Sequence, residues 1–125
     1  MKRTVYYALP FFGYFLMLAV AGHIPLSVHL NSWGFTDKVL HFLAYILLAL
    51  LLFRFLRGYG YRGRYLPVLI LGFVYAAVDE ATQALVPGRF VSFYDFLANT
   101  AGFGLGYFLF SRWLVHCPSS EAPGD

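Results

Sequence analysis

Two adjacent carboxylates, Asp79 and Glu80, stand inside an apolar run that opens near Leu66 and closes at Val86. If residues 66–86 form one helix through a bilayer, Glu80 lies about 9 Å from the Val86 end at the usual helical rise. That depth is inside the hydrocarbon. An ionised acid at mid-membrane costs ~2.5–3.5 kcal/mol even on the lenient insertion scale, and such residues carry function by default. A chain that holds two of them side by side must supply groups to surround them. Gln83 follows one turn later, and Arg89 follows a Pro87-Gly88 break.

The composition identifies the solvent. Of 125 residues, 60% are hydrophobic and 12% charged, against roughly 25% charged in an average soluble domain. Apolar runs at 5–24, 38–56, 66–86 and 92–115 are joined by short polar breaks. They predict an all-α membrane protein, a four-transmembrane-helix bundle forming one domain over 1–116. The tail at 117–125, rich in Pro, Ser and Gly, has the composition of a disordered segment. Lys2-Arg3 and a later Ala19-Val20-Ala21 resemble a signal peptide, but the apolar run exceeds a usual h-region and favours an uncleaved span.

The formal charge of +3 is gathered into Lys2-Arg3, the group Arg54, Arg57, Arg62 and Arg64, and Arg112. With four spans all three clusters fall on one side, which the positive-inside rule makes cytoplasmic together with both termini. No basic groove interleaved with stacking aromatics is present, so nucleic acid is excluded as a partner. Cys117 is the single cysteine, which excludes an intrachain disulfide and a thiolate metal cluster. The connection at 25–36 carries turn residues (Pro25, Asn31-Ser32, Gly34) and the interfacial rings Trp33 and Phe35. Thr36 or Asp37 is expected to cap the second helix.

This topology brings the unusual polar residues to one depth. Asp37, Lys38 and His41 open the second helix from the outside, and Asp79, Glu80 and Gln83 close the third. Arg89 lies in the outer loop, and Ser92, Asp95 and Asn99 open the fourth helix. Asp37/His41/Tyr45, Asp79/Gln83 and Asp95/Asn99 are i, i+4 sets, so each projects along one helix face. The expectation is a single outward-facing polar cluster, with Lys38 or Arg89 paired to Asp79, Glu80 or Asp95.

In chemical terms, His41 is the candidate general acid or base, with Asp79, Glu80 and Asp95 as its catalytic partners. Lys38 and Arg89 suit phosphate, and Asp37, Gln83 and Asn99 complete a substrate-binding set. A single histidine among carboxylates leaves room for a divalent cation such as Mg²⁺ and disfavours zinc. No HExxH, P-loop, glycine-rich nucleotide fingerprint or G-x-S-x-G is present. Blander roles compete at each position. Asp37 serves equally as a cap, Lys38 and Arg89 as interface anchors, and His41, Gln83 and Asn99 as interhelical hydrogen-bonding groups.

Gly102 and Gly106 have the GxxxG spacing, and Gly72, Ala76, Glu80 and Ala84 share a row on the third helix. The third and fourth helices are therefore expected to pack along these stripes, with Gly102 and Gly106 also offering a surface for an oligomer.

The blocks Asp37-Lys38-Val39-Leu40-His41-Phe42-Leu43-Ala44-Tyr45, Asp79-Glu80-Ala81-Thr82-Gln83, Pro87-Gly88-Arg89 and Asp95-Phe96-Leu97-Ala98-Asn99-Thr100-Ala101-Gly102 are specific in this order and spacing. Together they resemble the signature blocks of VanZ-like proteins, over roughly residues 37–106. The resemblance implies a small multi-pass protein of the bacterial cytoplasmic membrane, from a family associated with teicoplanin resistance. Three functions fit the residues: an enzyme acting on an anionic lipid or lipid-linked cell-envelope precursor, a non-catalytic binding or scaffolding protein, and a small transporter or proton-relay subunit. An enzyme should lose turnover but keep binding when His41 changes. A transporter needs a polar route to the cytoplasmic face.

Overall fold

The computed structural model describes residues 1–24, 34–61, 63 and 65–116. The turn residues of 25–33, with Trp33, lie outside the described residues, as do Arg62, Arg64 and the tail at 117–125 with Cys117. Among the described residues the chain is helical throughout: a π-helical turn, Thr4–Ala8, then α1 (Leu9–His23), α2 (Gly34–Gly58), α3 (Leu66–Gln83) and α4 (Phe93–His116). Thr4–His23, Gly34–Gly58 and Leu66–Gln83 are each long and apolar enough to cross a membrane. The 24 residues of α4 are also of spanning length, but Asp95, Asn99, Arg112 and three glycines make it less apolar.

Local chemistry accounts for the boundaries. Pro10 has no N–H to offer the residue four back, and its ring crowds that carbonyl. The chain widens just before it, Leu9 donating instead to Thr4 O across a π turn. α2 starts at Gly34, earlier than the expected 38, so Asp37 sits within the first turn instead of capping it. There its carboxylate faces the positive end of the helix dipole.

α3 stops three residues short of Val86. Leu85 and Val86 donate to carbonyls three residues back, Thr82 O and Gln83 O, and Arg89 donates to Val86 O at 3.1 Å. With Pro87 second and Gly88 third at φ +82°, this last bond closes a type II turn, where only glycine sits easily at the third position. The turn reverses the chain into α4.

The core lies where α4 packs on α2. Tyr45, Leu48, Ala49 and Phe53 of α2 meet Phe103 and Phe110 of α4, with the Phe53 and Phe110 rings stacked at 4.9 Å. The glycine stripe of α4 makes this contact. A side-chain carbon on Gly102 would run into the backbone carbonyl of Phe42. One on Gly106 would lie 2.7 Å from Ala49 Cβ and 2.9 Å from Ile46 O. The stripe therefore meets α2, not α3, and the surface expected for an oligomer is filled by the chain's own helix. α3 packs on the other side of α4, where Gly72 leaves space for the Phe103 ring.

α1 is held more lightly. Tyr14 donates to Ala44 O at 3.0 Å, Phe11 stacks on Phe55, and Phe15 lies against Tyr75. Its outer face, with Phe12, Leu16, Met17 and Val20, is exposed, as a lipid-facing stripe should be.

Candidate functional site

The first turns of α2 and α4 and the last turns of α3 meet at one end of the bundle and divide the expected polar residues into two groups. The first lies between α2, α4 and the α4 side of α3. Lys38 Nζ donates to Asp95 Oδ1 at 2.7 Å, so the expected ion pair is formed by Lys38. His41 Nδ1 lies 2.9 Å from Asn99 Oδ1, and its Nε2 lies 3.8 Å from Asp37 Oδ1. An Nδ1–H donating to Asn99 leaves the imidazole lone pair on Nε2, turned toward Asp37. Asn99 itself is 0% exposed.

Glu80 joins this group from α3. Its Oε1 accepts the Ser92 N–H at 2.6 Å, which satisfies a free donor at the start of α4. Its carboxylate lies within electrostatic reach of His41, Asp95 and Lys38. Glu80 is 3% exposed, and among the described residues its Oε2 has no hydrogen-bond partner; Asn99 Nδ2 also has none. Since buried polar atoms are normally paired, two orphans in one group mark it as incomplete by itself.

The second group is built around Asp79, one residue before Glu80 on α3 and still within its electrostatic reach. Tyr45 OH donates to Asp79 Oδ2 at 2.9 Å. Gly22 of α1 comes so close that a Cβ there would lie 3.2 Å from Gln83 Nε2 and 3.5 Å from Asp79 Oδ1. Arg89 belongs here too. Its Nη1 donates to Gly22 O at 2.9 Å, and among the described residues no acid lies within ion-pair distance of it. The guanidinium thus satisfies a carbonyl in the last turn of α1, where the helix dipole is negative. Pairing of Arg89 with an acid, the alternative expected from sequence, is not what the fold builds.

Sequence reasoning passed over Gly22 and Tyr75. Tyr75 stacks on Tyr45 with centroids 6.0 Å apart, and its buried hydroxyl has no partner among the described residues. It stands four residues before Asp79, the same spacing that marked the other sets, so its place on that face was available. Nothing in the sequence flags a glycine that matters only because α1 passes close to Gln83.

Two shallow, open apolar depressions that share Phe96 lie on the α3–α4 surface beside the first group. One, of about 350 Å³, is bordered by Ala77, Ala81, Val91, Phe93 and Phe96, with Glu80 at its polar wall. The other, of about 620 Å³, reaches from Phe96 past Leu97 and Thr100 to Gly104. The small residues on both helices leave these depressions open to the side of the bundle.

Three helices long and apolar enough to cross a membrane, with a cluster of charged and polar side chains gathered at one end of the bundle, define the class as a small helical protein of membrane-protein character. The chain belongs to the VanZ/LLP1 family, whose model matches residues 3–115. No curated protein and no solved structure matches it.

Proposed function

We propose that the charged end of the bundle faces the outer side of a bacterial cytoplasmic membrane and holds an anionic lipid or a lipid-linked cell-envelope component. The observation that carries this reading is a half-partnered charged group beside two shallow apolar depressions, one bordered by Glu80 and the other reaching from Phe96 to Gly104. A lipid matches that pairing, with a polar head and a long apolar chain. Lys38, 34% exposed at its side chain, is the cation able to leave Asp95 for a phosphate. Glu80 Oε2 is an acceptor for a headgroup hydroxyl or amine. Any contribution to teicoplanin resistance, the family association, would run through this lipid-facing site.

The orientation is part of the proposal. All four helices span, both termini are cytoplasmic, and the Gly58–Arg64 segment with its arginines lies inside, in keeping with the positive-inside rule. Gly60 and Gly88 have positive φ and tolerate no cysteine easily, so the exposed neighbours Tyr59 and Phe90 are the labelling sites. In a Cys117→Ser background, an impermeant thiol reagent on intact cells should label Phe90→Cys and spare Tyr59→Cys; the reverse pattern inverts the topology.

Lipid retention tests the site. Mass spectrometry of the purified protein should find anionic lipid retained by the wild type. Lys38→Met should reduce it at the head, and Ala81→Trp should reduce it by filling the exposed depression. Equal retention by both variants would remove the lipid reading.

A further inference from the structure

We propose that Asp37, His41 and Asp95 bind a hard divalent cation of the Mn²⁺ or Mg²⁺ kind where the first turns of α2 and α4 meet, with the buried Glu80 carboxylate adding negative potential from α3. One ligand atom from each of the three residues lies within 4.8 Å of the other two. An ion about 2.1 Å from each would set neighbouring ligands about 3 Å apart, so each side chain closes by about 1 Å. Those are rotamer adjustments at the open end of the bundle, where the Asp37 side chain is 48% exposed.

Three independent features point to a cation here. The first is the imidazole. Asn99 Oδ1 holds Nδ1 at 2.9 Å, and this outer hydrogen bond fixes the tautomer and orientation a metal-binding histidine needs, with Nε2 free and turned to Asp37. The second is the orphan. Glu80 is 3% exposed, and its Oε2 has no partner among the described residues, although its carboxylate interacts with His41 and Asp95. A buried carboxylate oxygen without a donor favours a cation beside it.

The third is charge. Among the described residues of this group, Asp37, Glu80 and Asp95 stand with one lysine, Lys38, which is bonded to Asp95. Three carboxyl groups thus share one ammonium, an excess of acid that a divalent ion would offset. Asp79 stays outside the site, because Tyr45 holds its Oδ2.

Lys38 shares Asp95 with the ion. Its ammonium bonds Asp95 Oδ1, leaving Oδ2 for the metal, and the two cations repel. Removing Lys38 should therefore tighten metal binding, the opposite of what loss of a ligand does. One nitrogen with two carboxylate oxygens is a donor set for Mn²⁺ or Mg²⁺ in preference to a tetrahedral zinc site. A phosphate would supply a further oxygen, yet the ion site does not depend on the lipid.

The test uses the full chain in nanodiscs of phosphatidylcholine, titrated with Mn²⁺ and followed by electron paramagnetic resonance. One Mn²⁺ should bind per chain with nitrogen hyperfine coupling from the imidazole. Asp37→Asn, at a half-exposed position, should weaken binding by about tenfold or more, at least the loss typical of an outer-sphere partner. His41→Gln should abolish the nitrogen coupling, and Lys38→Met should raise the affinity. The proposal is overturned if neither the wild type nor Lys38→Met binds Mn²⁺ saturably. It is equally overturned if the bound ion shows no nitrogen coupling and Asp37→Asn leaves its affinity unchanged.

Discussion

Asp79 and Glu80 are consecutive, carry the same charge and are buried to nearly the same degree, 8% and 3% exposed. One helical step of about 100° sends them into different surroundings. Asp79 has a side-chain donor, Tyr45 OH, on Oδ2, and it is closed in by Gly22 and Gln83. Glu80 has a backbone donor on one oxygen, no partner for the other among the described residues, and a shallow open depression at its side. An acid paired across α2 and α3 holds helices in place, whereas one left half-paired beside an apolar depression keeps its capacity for a ligand. Burial alone would have ranked the two as equals.

The environment of Glu80 depends on the α2–α4 seam, because Lys38 meets Asp95 and His41 meets Asn99 only when those helices touch backbone to backbone. Gly102→Val should erase the comparison altogether. The added carbons would run into the Phe42 carbonyl, and rigid backbone cannot yield as a side-chain tip can. Overpacking of this kind costs ~1–3 kcal/mol or more, and here it also parts Lys38 from Asp95 and His41 from Asn99. Loss of folded protein from detergent extracts is the expected result, with Gly104→Val, at a position with open space around it, far milder.

Asp79→Ala addresses the closed side. It strands the Tyr45 hydroxyl, on a residue 2% exposed, and leaving a buried polar group unpaired costs ~1–3 kcal/mol. Tyr45→Phe should cost less, and the double variant should cost less than the sum, because the second change removes a group already stranded. Unfolding in SDS measures all three. Strict additivity would show that the two residues are not coupled.

Arg89→Ala should be smaller, about 1 kcal/mol, the size of a cation at a helix C-terminus. The bond it removes runs to the Gly22 carbonyl, so neutralising Asp79, Glu80 or Asp95 should give no rescue. Restoration of stability by Asp95→Asn in the Arg89→Ala background would show an ion pair that the geometry lacks.

The sequence made some of this legible and hid the rest, for physical reasons. Apolar runs between polar breaks locate helices because the bilayer or a core must cover them, so the four helices and their order could be read off. Their ends shifted where the signal is local. Gly34-Phe35-Thr36 offers no strong break, and the Pro87-Gly88 turn tightens the chain back to Ala84. Lys38–Asp95 was accessible as one of several pairs, since both open their helices from the same end. Spacing of i, i+4 tells which residues share a face but not which neighbour that face meets. Hence the division between Asp79 and Glu80 and the α2 side of the glycine stripe emerged only in the fold. Backbone acceptors such as Gly22 O carry no sequence signature, so Arg89 looked like half of an ion pair.

The smallest structural change should give the sharpest functional contrast. Glu80→Gln keeps the side chain's shape and its Oε1 acceptor for the Ser92 N–H. It exchanges a buried carboxylate for a neutral amide, and the new NH₂ replaces an oxygen that has no partner among the described residues. Removal of the buried carboxylate and burial of an unpaired amide donor act in opposite directions, so stability should move by less than about 1 kcal/mol. Binding should respond differently, because a neutral amide lends a cation no negative potential and its nitrogen cannot accept from a headgroup hydroxyl or amine. Asp79→Asn is the matched control: its amide oxygen can still accept from Tyr45 OH, so it should disturb anchorage more than ligand affinity. The comparison holds if Glu80→Gln lowers Mn²⁺ affinity or anionic-lipid retention much more than Asp79→Asn does, at equal or better stability. If the two variants lower binding equally, the acids form one site and the division between them is only apparent.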